Sequence, residues 1–184
     1  ATTLLSEILR YSLNSERKTF VLFKEEIELT RDYLALEKIR FGNRLNFSFD
    51  IDEATNKMSI PPLIVLTLAE NAIKHGIAPS KAGGEIGMRS VVENDFLLVQ
   101  VINNGCYILP ASSSEGIGIA NTIQRLDLLY GGKAKFKIEN TGNNTAHQVT
   151  KAPEAQKDNN KPKKSNAPKK FNKNKKRFPP KRNN

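Results

Sequence analysis

The chain has 184 residues and a hydrophobic content of 38%, enough to bury one ordinary core with a helical appendage but not two full domains. Its single cysteine, Cys106, excludes an internal disulfide and a paired-cysteine metal site, and the longest apolar run, Ile60 to Ala69, falls short of the roughly 20 residues that span a bilayer. The net charge of +10 is not spread evenly: residues 151–184 hold 13 of the 29 Lys and Arg and only two acids, Glu154 and Asp158, so the first 150 residues carry 16 cations against 17 acids.

Residues 1–18 place Leu4, Leu5, Ile8, Leu9 and Leu13 at helical spacing, which predicts an amphipathic helix. Residues 24–41 repeat the pattern through Ile27, Tyr33, Leu34, Leu36, Ile39 and Phe41, with acids in the first turn, where the helix dipole favours them. The intervening TFVLF reads as a connector. LNFSFDI alternates as a strand does, and Pro61 and Pro62 then open an apolar helix that ends in ENAIKHG, residues 70–76.

After Gly76, EIGMRSVV and FLLVQVI are separated by Glu93, Asn94 and Asp95 and read as a hairpin. A glycine- and serine-rich loop follows, then GIGIANTIQRLDLLYGG as a helix with glycines at its end, and KFKIEN and TAHQVTK as two closing strands. Helices alternating with antiparallel hairpins predict an α+β class, a two-layer α/β sandwich preceded by two helices. Three segments result: a helical region over 1–41, a folded domain over 42–153 and a tail over 154–184. The tail has too few aliphatic side chains to offset the entropy of ordering and is expected to be disordered. It is either a solubilising extension or a basic arm for nucleic acid, with Phe171 and Phe178 available to stack on bases.

One segment carries a chemical oddity. On the 61–76 helix, Thr67, Asn71, Lys74 and His75 occupy neighbouring positions of one face of an otherwise greasy element. Burying an unpaired amide costs roughly 1–3 kcal/mol, so such groups should meet solvent, a ligand or one another. Downstream, VINNG ends a strand with Asn103, Asn104 and Gly105. EGIGIAN then sets Gly116 and Gly118 at a helix start, where free backbone N–H groups and the dipole favour phosphate.

The ordered series of amide-bearing helix, strand ending in NG, loop and GxG helix resembles the Bergerat ATP-binding fold of gyrase, histidine kinases and MutL. LRYSL at 9–13, YLALEKIRFGNRL at 33–45 and RLDLLYG at 125–131, with LAENAIKHG and GIGIAN, narrow the resemblance to the LytS/YehU-type sensor histidine kinases over about residues 4–153. The resemblance implies ATP and Mg²⁺ as cofactors. Asn71 would be the Mg²⁺ ligand, Lys74 and His75 phosphate-side donors, Asn103 and Gly105 the adenine pocket, residues 106–115 a lid, and Gly116 and Gly118 the phosphate seat. Arg125 and Tyr130 would be structural. Glu70 and Asn71 are the catalytic candidates, although Glu70 points about 100° around the helix from Asn71.

Two departures carry consequences. The adenine-reading position, usually Asp, is Asn103, which accepts the exocyclic amine without charge assistance. Hydrolytic relatives place a Glu where this chain has Thr67, so rapid ATP hydrolysis is not expected. The family's acceptor histidine lies upstream of LRYSL, outside this chain, which is expected to be a fragment; its own histidines are His75 and His147. The implied function is that of the ATP-binding catalytic domain of a two-component kinase, cytoplasmic, partnered by a LytTR-type response regulator and able to dimerise through its N-terminal helices. The alternatives are an anti-sigma-factor-type serine kinase and a non-catalytic nucleotide-binding scaffold with a nucleic-acid-binding tail.

Overall fold

The computed structural model describes residue 6, residues 10–11, 18–104, 117–141 and 145–153. Ser6, Arg10 and Tyr11 are helical, while the rest of the 1–17 segment, Gly105, the 106–115 lid, Gly116 and the 154–184 tail lie outside the described residues. Three longer helices follow: α1 (Phe23–Phe41), α2 (Ile64–Ala72) and α3 (Ile117–Tyr130). The strands are β1 (Val21–Leu22), β2 (Leu45–Ile51), β3 (Ser59–Ile60), β4 (Gly84–Glu93), β5 (Phe96–Asn104), β6 (Lys135–Thr141) and β7 (Thr145–Pro153).

Five strands form one sheet in the order β2-β4-β5-β7-β6. The β4–β5 hairpin pairs Glu93 with Phe96 across Asn94 and Asp95, both with positive φ, as a tight two-residue turn requires. β2 runs parallel to β4, which an expectation of antiparallel hairpins alone did not contain. Parallel neighbours need a crossover, and the stretch from Asp52 through α2 supplies it. The TFVLF connector also becomes structure: Val21 and Leu22 pair with Ile60 and Ser59, and the Phe23 N–H donates to the Met58 carbonyl at 2.8 Å. A two-residue strand has no period to read, so only its partner reveals it.

The helices cover one face of the sheet. In β2, Leu45 is buried and Phe47, Phe49 and Ile51 are half-buried, while Asn46, Ser48 and Asp50 are exposed, so the strand's alternation is the boundary between core and solvent. Ile86 and Met88 of β4 and Leu97, Val99 and Val101 of β5 continue the buried row. Phe23, Ile27 and Leu34 of α1 join the same core as Val65 and Leu68 of α2, so residue 41 divides the helical segment by motif and not by packing. Arg31 of α1 also lies 4.1 Å over the Phe49 ring. At the far end, the Gly131 N–H donates to the Asp127 carbonyl with Gly131 at φ 57, the left-handed stop expected of the glycine pair.

Candidate functional site

The apolar helix starts later than its prolines indicate. Pro61 and Pro62 are buried ahead of it, and Leu63 at the N-cap has φ 65, a left-handed backbone unusual for a branched side chain, so α2 begins at Ile64. Its first-turn N–H groups are satisfied from another element: Glu26 of α1, buried, accepts the Leu63 N–H at 2.7 Å and the Val65 N–H at 3.2 Å. Tyr11 donates to the same carboxylate at 3.3 Å, and Arg125 of α3 donates to the Pro62 carbonyl at 2.8 Å. Burial pushes the Glu26 carboxyl up to about 7, although the two N–H bonds, Tyr11 and Arg125 pull it down. Burial also raises the Tyr11 phenol, with Glu26 and Glu25 adding to the effect.

The C-terminal end of α2 is equally unusual. Past Ala72 the chain widens into a π-helical turn, Ile73–Ile77, closed by the Ala78 N–H on the Ile73 carbonyl at 2.8 Å. Single π turns are rare and concentrate at functional sites. The wider turn alters the spacing after Asn71, so Lys74 is exposed and His75 half-buried, and the one-face stripe expected for a regular helix does not continue unbroken. Gly76 is buried against the end of β5, where an added Cβ would stand 2.5 Å from the Asn104 carbonyl oxygen and closer still to the Asn103 amide.

Asn103 is 1% exposed, and its Nδ2 donates to the Asn104 carbonyl at 2.9 Å. Asn104 in turn accepts the Glu85 N–H through Oδ1 at 2.5 Å, which pins the strand end. Among the described residues, three buried side-chain atoms have no hydrogen-bond partner: Asn71 Nδ2, Asn103 Oδ1 and the Tyr130 hydroxyl. The first two lie on the elements that meet at Gly76 and present a donor and an acceptor, the complement a nucleobase and a polar ligand call for. Tyr130 is explained by packing: its ring stacks edge-on against Phe20 at 5.9 Å, and burial raises its phenol to about 12.

Of the other sequence-predicted residues, Gly118 and Thr67 lie together, while Gly105 and Gly116 are outside the described residues. Gly118 sits over Thr67, whose Cγ2 would lie 3.3 Å from a Cβ at 118, so the start of α3 lies against α2 one turn before Asn71. Thr67 donates its hydroxyl to the Leu63 carbonyl at 2.6 Å and is occupied within its own helix. Glu70 is exposed and faces α1, where partial desolvation of its carboxyl and then the Glu37 charge raise its pKa. Register sets position 147 opposite Ile102 and Glu139, so Ala146, not His147, pairs with Asn103. Gly76, Asn104 and Glu26 are the residues that motif reasoning passed over. Gly76 stood within a quoted motif, but Glu26 had no local signal because its role lies 37 residues away.

A nucleotide with Mg²⁺ fits these groups. Mg²⁺ keeps several waters and needs only one or two protein oxygens beside the phosphates. Among the described residues no three His, Cys, Asp or Glu side chains gather to hold a metal alone, so a metal here would depend on phosphate and on a single amide such as Asn71.

Residues 1–45 match the family described as Histidine kinase. Sensor protein LytS of Enterococcus faecalis is 30% identical over 166 residues, covering 84% of this chain, and sensor histidine kinase YpdA of Escherichia coli is 35% identical over 136 residues, covering 69%. The chain is a homologue of the LytS-type sensor histidine kinases. It spans 28% of the length of the enterococcal LytS and 24% of YpdA. The fold agrees with this kinship: the catalytic domain of histidine kinase ThkA superposes with TM-score 0.58 at 18% identity, covering 76% of this chain and 98% of that one. Full-length ShkA in complex with AMPPNP superposes at 0.55 with 15% identity, covering 84% of this chain and 36% of that one. ThkA in complex with the response regulator TrrA superposes at 0.52 with 16% identity, covering 84% and 48%. The two-layer sandwich therefore has the fold of the histidine kinase catalytic domains, as the LytS-type motifs implied.

Proposed function

We propose that this chain is the Mg·ATP-binding catalytic part of a LytS-type kinase and delivers the ATP γ-phosphoryl group to a histidine on an acceptor helix. The observation that carries the reading is the pair of orphaned amide atoms, Asn71 Nδ2 and Asn103 Oδ1, on the two elements that meet at Gly76. Groups buried without partners cost stability, and a ligand that satisfies them supplies the reason to keep them. The homology favours this reading over the serine-kinase and scaffold alternatives.

In this reading Asn103 Oδ1 accepts the adenine amine and Gly105 borders the base. Gly116 and Gly118 let backbone N–H groups approach the phosphates, while Lys74 and His75 contact them from the π turn. Asn71 would hold Mg²⁺ through its amide oxygen while its orphaned Nδ2 donates to a phosphate oxygen, and the ion when bound would neutralise phosphate charge and so ease transfer. Glu70, the neighbour of Asn71, is the candidate base for the acceptor imidazole. Thr67, its hydroxyl committed to Leu63, activates no water, and ATP persists until an acceptor docks.

The partner is a response regulator of the LytTR type, and the helical segment over 1–41 contributes to a homodimer. No helix among the described residues is long and apolar enough to cross a membrane, consistent with the cytoplasmic portion of a kinase. The direct test is calorimetric titration with Mg·ATP. Wild type is expected to bind, and Asn71→Ala is expected to lose Mg²⁺-dependent binding while melting within a few degrees of wild type. Equal affinity in the two proteins overturns the assignment of Asn71.

A further inference from the structure

The N-terminus of α2 is held in an unusual way. A helix start leaves its first N–H groups without internal partners, and the usual remedy is a Ser, Thr, Asp or Asn at the N-cap. Here the N-cap is Leu63, with a left-handed backbone and no side-chain cap of its own. The cap comes from another helix: the fully buried Glu26 of α1 takes the Leu63 N–H on one carboxylate oxygen and the Val65 N–H on the other. Thr30, one turn on, donates to the Glu26 carbonyl at 2.7 Å and leaves the carboxylate free for this task.

Two further elements reach the same point. Arg125 of α3 donates to the Pro62 carbonyl, and Tyr11 donates to the oxygen of Glu26 that holds Leu63. Tyr11 and Arg125 are the titratable and charged side chains facing the Glu26 carboxylate from the neighbouring elements. From this clamp α2 runs nine residues, about 13 Å, as one rigid rod to Asn71 and Ala72 and on into the π turn that meets Asn103. A small tilt at Leu63 is therefore carried to Asn71.

We propose that Glu26 is a positioning residue for the nucleotide site: it fixes the start of α2 and so the seat of Asn71, and Tyr11 shares in that hold. The inference rests on the nucleotide-site reading above. It assigns Glu26 no contact with nucleotide. It gives Tyr11 a route of hydrogen bonds towards the pocket: from Tyr11 to Glu26, from Glu26 to Leu63 and Val65, and along α2 to Asn71.

The test compares wild type, Glu26→Gln and Tyr11→Phe by titration with a non-hydrolysable Mg·ATP analogue and by amide hydrogen exchange. Gln keeps one acceptor oxygen but cannot receive both N–H groups, and Phe keeps the ring but not the donor. Both variants are expected to bind more weakly, by about threefold to thirtyfold for Glu26→Gln and less for Tyr11→Phe, and to exchange faster across residues 64–77. The double variant should fall short of the product of the two single effects, since both act through one carboxylate. Protonation removes an acceptor lone pair, so wild-type affinity should drop as pH falls through about 7 by more than it does in Glu26→Gln. If wild type binds and both variants bind as well, with unchanged pH profiles, the positioning role is overturned and the nucleotide reading stands. If wild type does not bind at all, the nucleotide reading fails. Unchanged exchange over 64–77 in a folded Tyr11→Phe variant overturns the link to residue 11 whether or not nucleotide binds.

Discussion

Gly76 illustrates how one missing methyl group shapes the site. Its φ is ordinary, so the need for glycine is spatial: the π turn presses against the end of β5, and a Cβ would meet the Asn104 carbonyl and the Asn103 amide at distances no real contact reaches. The Asn104 oxygen belongs to the backbone and the Asn103 amide is buried and bonded to it, so neither yields cheaply. Gly76→Ala is therefore expected to destabilise the protein by about 1–3 kcal/mol, the usual cost of overpacking, and to weaken nucleotide binding by displacing Asn103. A thermal melt lowered by several degrees together with a weakened titration supports this, whereas a wild-type melt shows that the turn can move away from the strand. Gly118 differs, because it is exposed and its nearest neighbour is the end of a threonine side chain at 3.3 Å, so alanine there asks only for a small shift.

At the scale of elements, what was legible in the sequence is what repeats locally. The 3.6-residue period marked α1, the alternation of LNFSFDI marked β2, the terminal glycines marked the end of α3, and Glu93, Asn94 and Asp95 marked the β4–β5 turn, of which Glu93 belongs to β4. What depended on distant partners was not legible: β1 exists because β3 lies beside it, β2 is parallel to β4 because of a crossover, and α2 starts at Ile64 because Glu26 caps it from α1. The π turn left no signal beyond a glycine whose neighbour in space is 27 positions on. The candidate site followed the same rule, since Asn71 and Asn103 were named from motifs while the clamp that orients α2 was not. The buried Glu26 carboxyl also has a pH signature in stability, opposite in sign to its hold on α2: the ionised form grips both N–H groups, while burial makes that form the costlier one in the folded chain. The Glu26 pKa rises from 4.5 to about 7 on folding, so the folded chain keeps a proton that the unfolded chain releases between those values. The resulting stabilisation is complete below about 4.5, declines as pH rises towards 7 and is gone above it, amounting to roughly 3 kcal/mol from this group. Denaturant titrations from pH 4.5 to 8 should show wild type losing this increment relative to Glu26→Gln; parallel profiles for the two proteins would mean that the carboxyl ionises as freely folded as unfolded.

On the scale of the whole molecule, the proposed reading gives the chain a nucleotide site and leaves the acceptor histidine to a helix supplied from outside it. Phosphoryl transfer needs the attacking nitrogen in line with the γ-phosphorus at about 3–3.5 Å. His75 lies in the π turn that in this reading contacts the phosphates, held by the same backbone that seats Gly76, and a side chain fixed beside the nucleotide cannot swing into line behind its terminal phosphate. Position 147 pairs with Ile102 in the register of β5 and β7, one place away from Asn103, which pairs with Ala146. These are the only two histidines in the chain. Incubated with radiolabelled Mg·ATP, the purified chain is therefore expected to bind nucleotide and to gain no acid-labile phosphate, with slow hydrolysis because Thr67 spends its hydroxyl on the Leu63 carbonyl. Label should appear when a helix bearing an acceptor histidine is supplied in trans, and it should appear on that helix. Stoichiometric phosphohistidine at 75 or 147 in the chain alone would falsify this account and would require the π turn or the sheet edge to rearrange around bound ATP.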